Sequence, residues 1–231
     1  MSSIDGRLFV DRWTAPAAGI NTATLRGHYD EVASQFESEG WIVGRKTMEE
    51  MMEGASSRRM NRAGGDLRTT HVGQRNGRNV AVAIDPHGKL HYGRDNYAGD
   101  HIVAVLSEKV SDDYLAELRQ DGVSYLFAGP DGGDLPLALQ TLGKTFGLKT
   151  LLLEGGGRIN GAFLKAGLID EISLLIYPGI DGLAGVSTIF EYIGSEDEQP
   201  AAGQSLRHVT TETLNGGMVW LRYRVEKELS N

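Results

Sequence analysis

The sequence predicts an α/β protein whose mostly parallel central sheet is flanked by helices. Short apolar runs, each long enough for a buried strand, recur along the chain, and segments with a helical spacing of apolar residues lie between many of them. Such alternation is typical of a parallel sheet covered on both faces. The final apolar segment differs, because apolar and polar residues alternate over 218–225, which predicts an antiparallel C-terminal strand at the sheet edge.

Individual elements follow from the same patterns. Six apolar runs are predicted as strands: 41–44, 80–84, 101–106, 123–127, 150–154 and 171–177. Helical segments are predicted over 29–36, after a serine N-cap at 111, over 135–146 with a glycine C-cap at 147, and over 159–166. No internal repeat interrupts this order, so we predict a single domain over residues 1–231.

Composition narrows the class of protein. The chain has 231 residues, a formal net charge of −8 and no cysteine. The negative charge argues against nucleic acid or an anionic membrane surface as a partner, and no apolar stretch is long enough for a membrane-spanning helix. Without cysteine, thiolate metal sites and cysteine nucleophiles are excluded, and we expect no metal. The N-terminus lacks the apolar region of a signal peptide, so we expect a cytoplasmic location.

Two polar segments are predicted as loops. Residues 53–78 contain six arginines and many glycines, and residues 194–204 are acidic. A loop as long as 53–78 within a compact domain is usually functional or disordered, and we predict a long mobile loop there. Its arginines could be simply solvated, or they could close over an anionic substrate.

The stretch LLLEGGGRINGAFL (151–164) raises the sharpest functional hypothesis. In open α/β sheets, ligands bind beyond the carboxyl ends of the strands, where Gly155, Gly156 and Gly157 would lie. Glycines allow close approach of a ligand, and the helix N-terminus that follows favours a phosphate. Glu154 could hydrogen-bond a substrate or hold a catalytic proton, or it could merely satisfy nearby amides. A Rossmann dinucleotide site is not favoured here. Such a site normally opens its domain and is followed by several βα units, whereas only about 75 residues follow these glycines.

A second strand, turn and helix are predicted in WIVGRKTMEEMM (41–52). Thr47 and Glu50 have the spacing of a capping box, and Arg45 at the helix start could add a second anion site. In SSIDGR (2–7), Asp5 precedes a glycine, which is a common turn signal. The motifs of metalloproteases and serine hydrolases, HExxH and GxSxG, are absent from the sequence.

Together these stretches, with VAVAIDPHGKL (80–90) and LLLEGGGRINGAFLKAGLIDEISLLIYPGIDG (151–182), resemble the reductase domain of the riboflavin pathway, the C-terminal domain of RibD. The resemblance extends over most of the chain and implies a dihydrofolate reductase-like fold. Family members usually have a strand before the SxDG motif, so the first strand here is expected to be missing or very short. The missing cysteines also exclude the zinc-dependent deaminase domain that accompanies bifunctional relatives.

The resemblance implies an NADPH-dependent reductase, most simply of a ribosylamino-pyrimidine 5′-phosphate, that forms a homodimer. It assigns the cofactor to Gly44, Arg45 and Thr47 and to the run Gly155, Gly156, Gly157 and Arg158. Asp5 and Glu154 would face the substrate as proton source or orienting group. Reduction of a pteridine or another small carbonyl or imine substrate remains open. A non-catalytic nucleotide-binding protein also remains open, because a family motif is not recognisable in 53–78.

Overall fold

The computed structural model describes residues 1–52 and 66–228, which fall into two compact units. The central unit comprises Ser38–Gly155, and the terminal unit comprises Met1–Glu37 together with Gly156–Asn231. The single domain predicted over residues 1–231 stays a prediction.

The central unit is built on a six-stranded, mostly parallel sheet. Its strands are β1 (Gly40–Gly44), β2 (Val80–Ile84), β3 (Asn96–Tyr97), β4 (Asp100–Leu106), β5 (Ser124–Phe127) and β6 (Leu152–Gly155). β1 pairs in parallel with β2 and β6, and β4 pairs in parallel with β2 and β5, whereas the two-residue β3 is antiparallel to β4. All of β2 and nearly all of β4 is buried, which explains their continuous apolar runs.

Three helices belong to the central unit: α2 (Arg45–Met51), α3 (Asp112–Gln120) and α4 (Leu135–Phe146). The Ser111 hydroxyl accepts a hydrogen bond from the Tyr114 amide at the start of α3, as predicted for its N-cap. Gly147 ends α4 in the left-handed conformation, which confirms the predicted C-cap. The sheet packs with α2 and α3 into one apolar core that includes Met48, Leu115 and Tyr125.

The capping box predicted at Thr47 and Glu50 is wrong. α2 begins at Arg45 with Gly44 as its N-cap, so Thr47 already lies in the first turn. The physical reason is that β1 runs without a loop directly into the helix, and the last strand residue serves as cap. A glycine cap has no side chain to bond the first amides.

The terminal unit carries a separate antiparallel sheet. Its strands are β7 (Glu171–Ile176), β8 (Gln204–Thr213) and β9 (Val219–Lys227), in the order β7-β9-β8, and its helices are α1 (Thr22–Ala33) and α5 (Gly157–Lys165). The predicted α/β class and antiparallel C-terminal strand are confirmed, but the edge position of that strand is wrong. β9 lies in the middle because β8, whose residues are mostly exposed and show no apolar alternation, pairs with its far side.

The first strand is reduced to a single bridge, as the resemblance implied. Ser2 pairs in parallel with Ile176, with its amide donating to the Leu175 carbonyl at 2.9 Å and its carbonyl accepting from the Tyr177 amide at 2.8 Å. The buried Trp220 donates its indole N–H to Ser173 and joins the apolar core beneath α1. Trp220 is therefore a core residue of this unit. Within the described ranges, no helix combines the length and the hydropathy that crossing a membrane would require.

A buried histidine connects α1 to the hairpin turn between β8 and β9. His28 Nδ1 lies 2.8 Å from Glu31 Oε2, and its Nε2 lies 2.9 Å from the Asn215 carbonyl oxygen. Both partners are acceptors, so the ring satisfies them together only as the doubly protonated imidazolium. Burial lowers the pKa of His28, but the two hydrogen bonds outweigh it and raise the pKa above its ordinary value of 6.5.

This raised pKa predicts the sign of a pH effect on stability. The contribution of His28 is complete below its unfolded pKa and is lost as pH rises through the higher folded pKa. Replacing His28 with glutamine should therefore lower the free energy of unfolding more at pH 5.5 than at pH 8.5, by about 1 kcal/mol, the size of one hydrogen bond. Urea unfolding of both proteins at the two pH values measures this difference, and an equal effect at both would contradict the imidazolium assignment.

Candidate functional site

An extra residue interrupts the pairing of β1 and β6 at the carboxyl end of the central sheet. Ile42 pairs with Leu153 and Val43 pairs with Gly155, so β6 has one extra residue between these positions, Glu154, which forms a β-bulge. Bulges redirect side chains and are common beside active sites. Gly44 follows Val43 directly, so the turn into α2 and the end of β6 are neighbours at this edge. The cofactor contacts expected at Gly44, Arg45 and Thr47 stay a prediction.

The three consecutive glycines have three different conformational environments. Gly155 completes the bulge with a φ of +103°, a backbone conformation that side chains rarely adopt. Gly156 is the N-cap of α5, with a φ of −16°. Gly157 is the first residue of the helix and is buried. Of the three glycines, Gly155 is therefore the one at which a positive φ would strain a substituted side chain.

Gly157 is required by close packing within the terminal unit. A Cβ at this position would lie 2.1 Å from the Thr188 carbonyl oxygen, and a Cβ at Gly161 would lie equally close to the Glu191 carbonyl oxygen. The Glu191 amide also donates to the Gly157 carbonyl at 2.9 Å. The two glycines thus form a flat strip on α5 against which the backbone of residues 188–191 rests.

The same segment joins the start of α5 to the SSIDGR turn. Arg7 and Thr188 form an antiparallel bridge, the Ile189 amide donates to the Gly6 carbonyl at 3.2 Å, and Arg7 Nη1 donates to the Val186 carbonyl at 2.7 Å. The structure therefore brings Asp5 and the start of α5, two of the regions predicted from sequence, against one connecting segment of the terminal unit.

The start of α5 has the properties of an anion site. Gly156 offers no side chain to cap the helix, and the first turn contains no acidic residue. The Ile159 and Asn160 amides both donate to the Gly156 carbonyl, which leaves the Gly157 and Arg158 amides without a hydrogen-bond acceptor in the described part of the chain. Arg158 itself is exposed. Free amides, the positive end of the helix dipole and a nearby arginine together suit a phosphate group.

The turn into α2 has fewer of the properties that suit a phosphate group. Arg45 Nη1 donates to Glu49 Oε2 at 2.6 Å one helical turn further on, so its charge is already partly neutralised. The helix has only seven residues. This turn of the central unit is therefore a weaker candidate for phosphate binding than the start of the longer helix α5 in the terminal unit.

Asp5 is held by hydrogen bonds within the terminal unit. Its carboxylate accepts from the Ser3 hydroxyl at 2.6 Å, the Gly182 amide at 2.8 Å and the Asp181 amide at 3.1 Å, and Arg7 Nε lies 3.7 Å away. The Ser3 and Gly182 hydrogen bonds, in that order, hold the pKa of Asp5 well below its ordinary value. Asp5 is therefore ionised at neutral pH and acts as an acceptor.

Sequence reasoning missed the partners that hold this turn. Asp181 has a fully buried side chain whose two oxygens accept from Nε and Nη2 of Arg12 at 2.8 and 3.0 Å. This hydrogen bonding to Arg12 holds the pKa of Asp181 below its ordinary value. In the sequence, Ser3 is marked by its place in the SxDG motif, whereas no pattern marks Arg12 as a partner of this turn.

Three arginines of the predicted 53–78 loop serve the central unit structurally. Each donates to a carbonyl or carboxylate of that unit: Arg68 to Glu108 and Val110, Arg75 to Phe146, and Arg78 to Asp95. These bonds hold residues 66–78 against the unit and leave these arginines little freedom to close over a substrate. Arg58, Arg59 and Arg62 lie outside the described residues, as does the rest of the predicted mobile loop over 53–65.

The buried Ser124 and His101, with the partly exposed Asp95 beside them, superficially resemble a hydrolase triad in the central unit. His101 Nε2 lies 2.7 Å from Ser124 Oγ, but Arg78 donates to His101 Nδ1 at 3.2 Å, so the imidazole proton must be on Nε2. Burial and the Arg78 charge lower the pKa of His101. With Nε2 protonated, the histidine cannot accept the serine proton, and this cluster is structural. Across the residues the structure describes, no group of three or more histidine or acidic side chains could hold a metal ion.

Comparison with known proteins shows which family the chain belongs to. The family model described as "RibD C-terminal domain" matches residues 1–220. A curated relative from Methanothermobacter thermautotrophicus, named 2,5-diamino-6-ribosylamino-4(3H)-pyrimidinone 5′-phosphate reductase, is 32% identical over 134 residues, which cover 57% of this chain and 61% of the relative. A relative of the same name from Aquifex aeolicus is 29% identical over 87 residues, or 38% of each chain. The matched part of the chain thus spans less than two thirds of the length of either relative.

Solved structures share the fold. A pyrimidine reductase-like protein from Corynebacterium diphtheriae is similar with a TM-score of 0.67 at 17% identity, covering 98% of this chain and 90% of that protein. RibD from Acinetobacter baumannii is similar with a TM-score of 0.60 at 22% identity, covering 97% of this chain and 56% of that protein. These likenesses confirm the dihydrofolate reductase-like fold that the sequence resemblance implied.

The contact between Gly157 and residue 188 predicts a cost for any side chain at that glycine. Alanine there would place its Cβ against a carbonyl oxygen, and the shift needed should lower the free energy of unfolding by about 1–3 kcal/mol. The matched control is Gly133→Ala, because Gly133 has open space around its Cα and no positive φ. Chemical denaturation should show the control unchanged within about 0.5 kcal/mol, and equal stability of the two variants would refute the packing role.

Proposed function

Because the chain belongs to the RibD C-terminal domain family, we propose that it is a reductase that uses NADPH to reduce a ribosylamino-pyrimidine 5′-phosphate in riboflavin biosynthesis. The observation that carries this proposal is the uncapped start of α5, where the Gly157 and Arg158 amides have no hydrogen-bond acceptor in the described part of the chain. The names of the two curated relatives support the substrate class.

We propose that the cofactor pyrophosphate is held at the start of α5. Gly156 and the amides of Gly157 and Arg158 would bind its oxygens, with the Arg158 guanidinium adding charge. Gly155 would allow close approach of the ligand to the turn. The buried Cα of Gly157 does not conflict with this role, since only its amide is needed. By the family resemblance, Gly44, Arg45 and Thr47 would contribute a further cofactor contact.

Glu154 is the carboxylate that we assign to the substrate. It lies at the β-bulge of β6, where the regular alternation of side chains is interrupted, and it is partly exposed. A carboxylate at this position can accept hydrogen bonds from amino groups on a pyrimidine ring. The bound cofactor would supply a hydride, and the protein would orient the electrophilic carbon of the substrate toward it.

The remaining expectations are part of the same proposal. We propose that the whole chain acts as a single reductase domain, that it forms a homodimer and that it works in the cytoplasm. A phosphorylated small molecule is the expected partner, and neither nucleic acid nor a membrane is expected. Trp220 contributes nothing to a dimer contact, because it is buried in the core of the terminal unit.

The proposed function is tested by binding and turnover with the full chain. NADPH should bind saturably in a fluorescence titration, and the absorbance of the reduced nicotinamide should fall when 2,5-diamino-6-ribosylamino-4(3H)-pyrimidinone 5′-phosphate is added. Parallel titration with NADH measures the preference for the 2′-phosphate. If millimolar NADPH gives no saturable signal, the protein is not a reductase of this kind. If NADPH binds but is not oxidised with pyrimidine, pteridine or carbonyl compounds, the protein is a nucleotide-binding protein without this activity.

Two variants separate the assigned roles. Gly156→Val adds a branched side chain where backbone and phosphate should nearly touch, so NADPH affinity should fall roughly tenfold, or about 1.4 kcal/mol. Glu154→Gln keeps the shape but removes the charge, so NADPH affinity should persist while turnover falls about 100-fold or more. Thermal unfolding verifies that both variants fold. Unchanged NADPH affinity in the first variant, or unchanged turnover in the second, would contradict the corresponding assignment.

A further inference from the structure

The carboxyl end of β2 carries a carboxylate that is completely buried. Asp85 follows the last residue of the strand and is 0% exposed. Its Oδ2 accepts hydrogen bonds from the Lys89 amide at 2.7 Å and from the Leu90 amide at 2.8 Å. The Gly88 amide donates to the Asp85 carbonyl at 3.0 Å. One oxygen of the carboxylate therefore holds the turn that follows β2.

The other oxygen of this carboxylate lacks a partner. Asp85 Oδ1 is buried and makes no hydrogen bond to any residue that the structure describes. A buried carboxylate oxygen without a donor is costly, because the hydration that it loses on folding is not replaced. Since an ionised carboxylate only accepts hydrogen bonds, the group that completes Oδ1 must be a donor.

Tyr92 supplies a second unpartnered polar group to the same core. The residue is 2% exposed, and its hydroxyl has no hydrogen-bond partner within the described ranges. Leu90 and Tyr92 share one apolar core with Tyr114, whose hydroxyl donates to the Leu90 carbonyl at 2.8 Å and lies 3.4 Å from Asp85 Oδ2. Burial and the charge of Asp85, in that order, raise the pKa of Tyr92 well above its ordinary value. The carboxylate and the Tyr92 hydroxyl therefore act on each other inside the core.

We propose that a single buried water molecule bridges Asp85 Oδ1 and the Tyr92 hydroxyl. Such a water donates one hydrogen to the carboxylate and accepts the hydroxyl hydrogen of Tyr92, so it completes both groups at once. The site does not suit a metal ion, because the described residues contain no group of three metal-ligating side chains. The bridge fastens Tyr92 to the end of β2 and thereby fixes the segment 85–92. All of these groups lie in the central unit, and the proposal does not depend on the reductase function.

A high-resolution crystal structure of the full chain can locate this water. The expected result is one water about 2.5–3.0 Å from both Asp85 Oδ1 and the Tyr92 hydroxyl oxygen. A direct hydrogen bond between the two groups would overturn the proposal. A cation, another group of the chain, or no density at all between them would overturn it equally.

Two matched variants test the bridge in solution. Tyr92→Phe removes the hydroxyl and leaves only one partner, which is too few to hold an internal water. Tyr97→Phe is the control, because Tyr97 packs against the same core but is only partly buried. Magnetic relaxation dispersion of the water oxygen nuclei counts long-lived internal waters. The Tyr92 variant should lose one such water relative to the wild type and the control, and equal counts in all three proteins would contradict the bridge.

The same variants test whether the bridge fixes the segment after β2. Loss of the bridge in Tyr92→Phe should lower the folding equilibrium constant roughly fivefold, the effect of one hydrogen bond, whereas the control should change it little. Hydrogen exchange should accelerate at the Lys89 and Leu90 amides, which bind the same carboxylate. A Tyr92 variant with the stability and the exchange rates of the control would show that its hydroxyl takes no part in holding this segment.

Discussion

The β-bulge between β1 and β6 is the constraint on which the candidate site depends. One extra residue in β6, Glu154, shifts the register of this strand against β1, and Gly155, where pairing resumes, has a positive φ. Gly156 can then cap α5 without a side chain, and Gly157 can pack against the backbone of residue 188. The sequence EGGG is thus explained by a strand irregularity, a bare helix cap and a close backbone contact, in that order. The cap leaves free amides, and the bulge leaves a carboxylate at the sheet edge.

The carboxylates near the candidate motifs of the terminal unit are held by hydrogen bonds within that unit. Asp5 and Asp181 both occur near the motifs that suggest a site, yet each is used to hold backbone amides or an arginine. Carboxylates in such surroundings stay ionised, because the hydrogen bonds stabilise the charged form. They serve as acceptors and leave acid chemistry to other groups. The buried His101 is similarly committed, since Arg78 determines which of its nitrogens carries the proton. In each case the hydrogen-bond partner, and not the residue type, decides the chemistry.

Much of the fold was predictable because burial leaves a pattern in the sequence. The five predicted strands of the central sheet are apolar on both faces, and Ser111 and Gly147 carry ordinary cap signals. β8 was not predictable, because its exposed residues do not alternate. The start of α2 was misplaced because a strand and a helix share Gly44. For the site, local motifs indicated Asp5 and Glu154. Their surroundings were hidden, since the amides that bind Asp5 lie about 176 residues away in sequence and a bulge has no composition of its own.

A crystal structure of the full chain with bound NADPH tests most directly whether the turn after β6 is the cofactor site. The geometry predicts pyrophosphate oxygens about 3 Å from the amide nitrogens of Gly157 and Arg158, with the backbone of residues 155–158 little changed. A cofactor whose pyrophosphate lies elsewhere, for instance at the start of α4, with the amides of α5 still without a ligand, would contradict it.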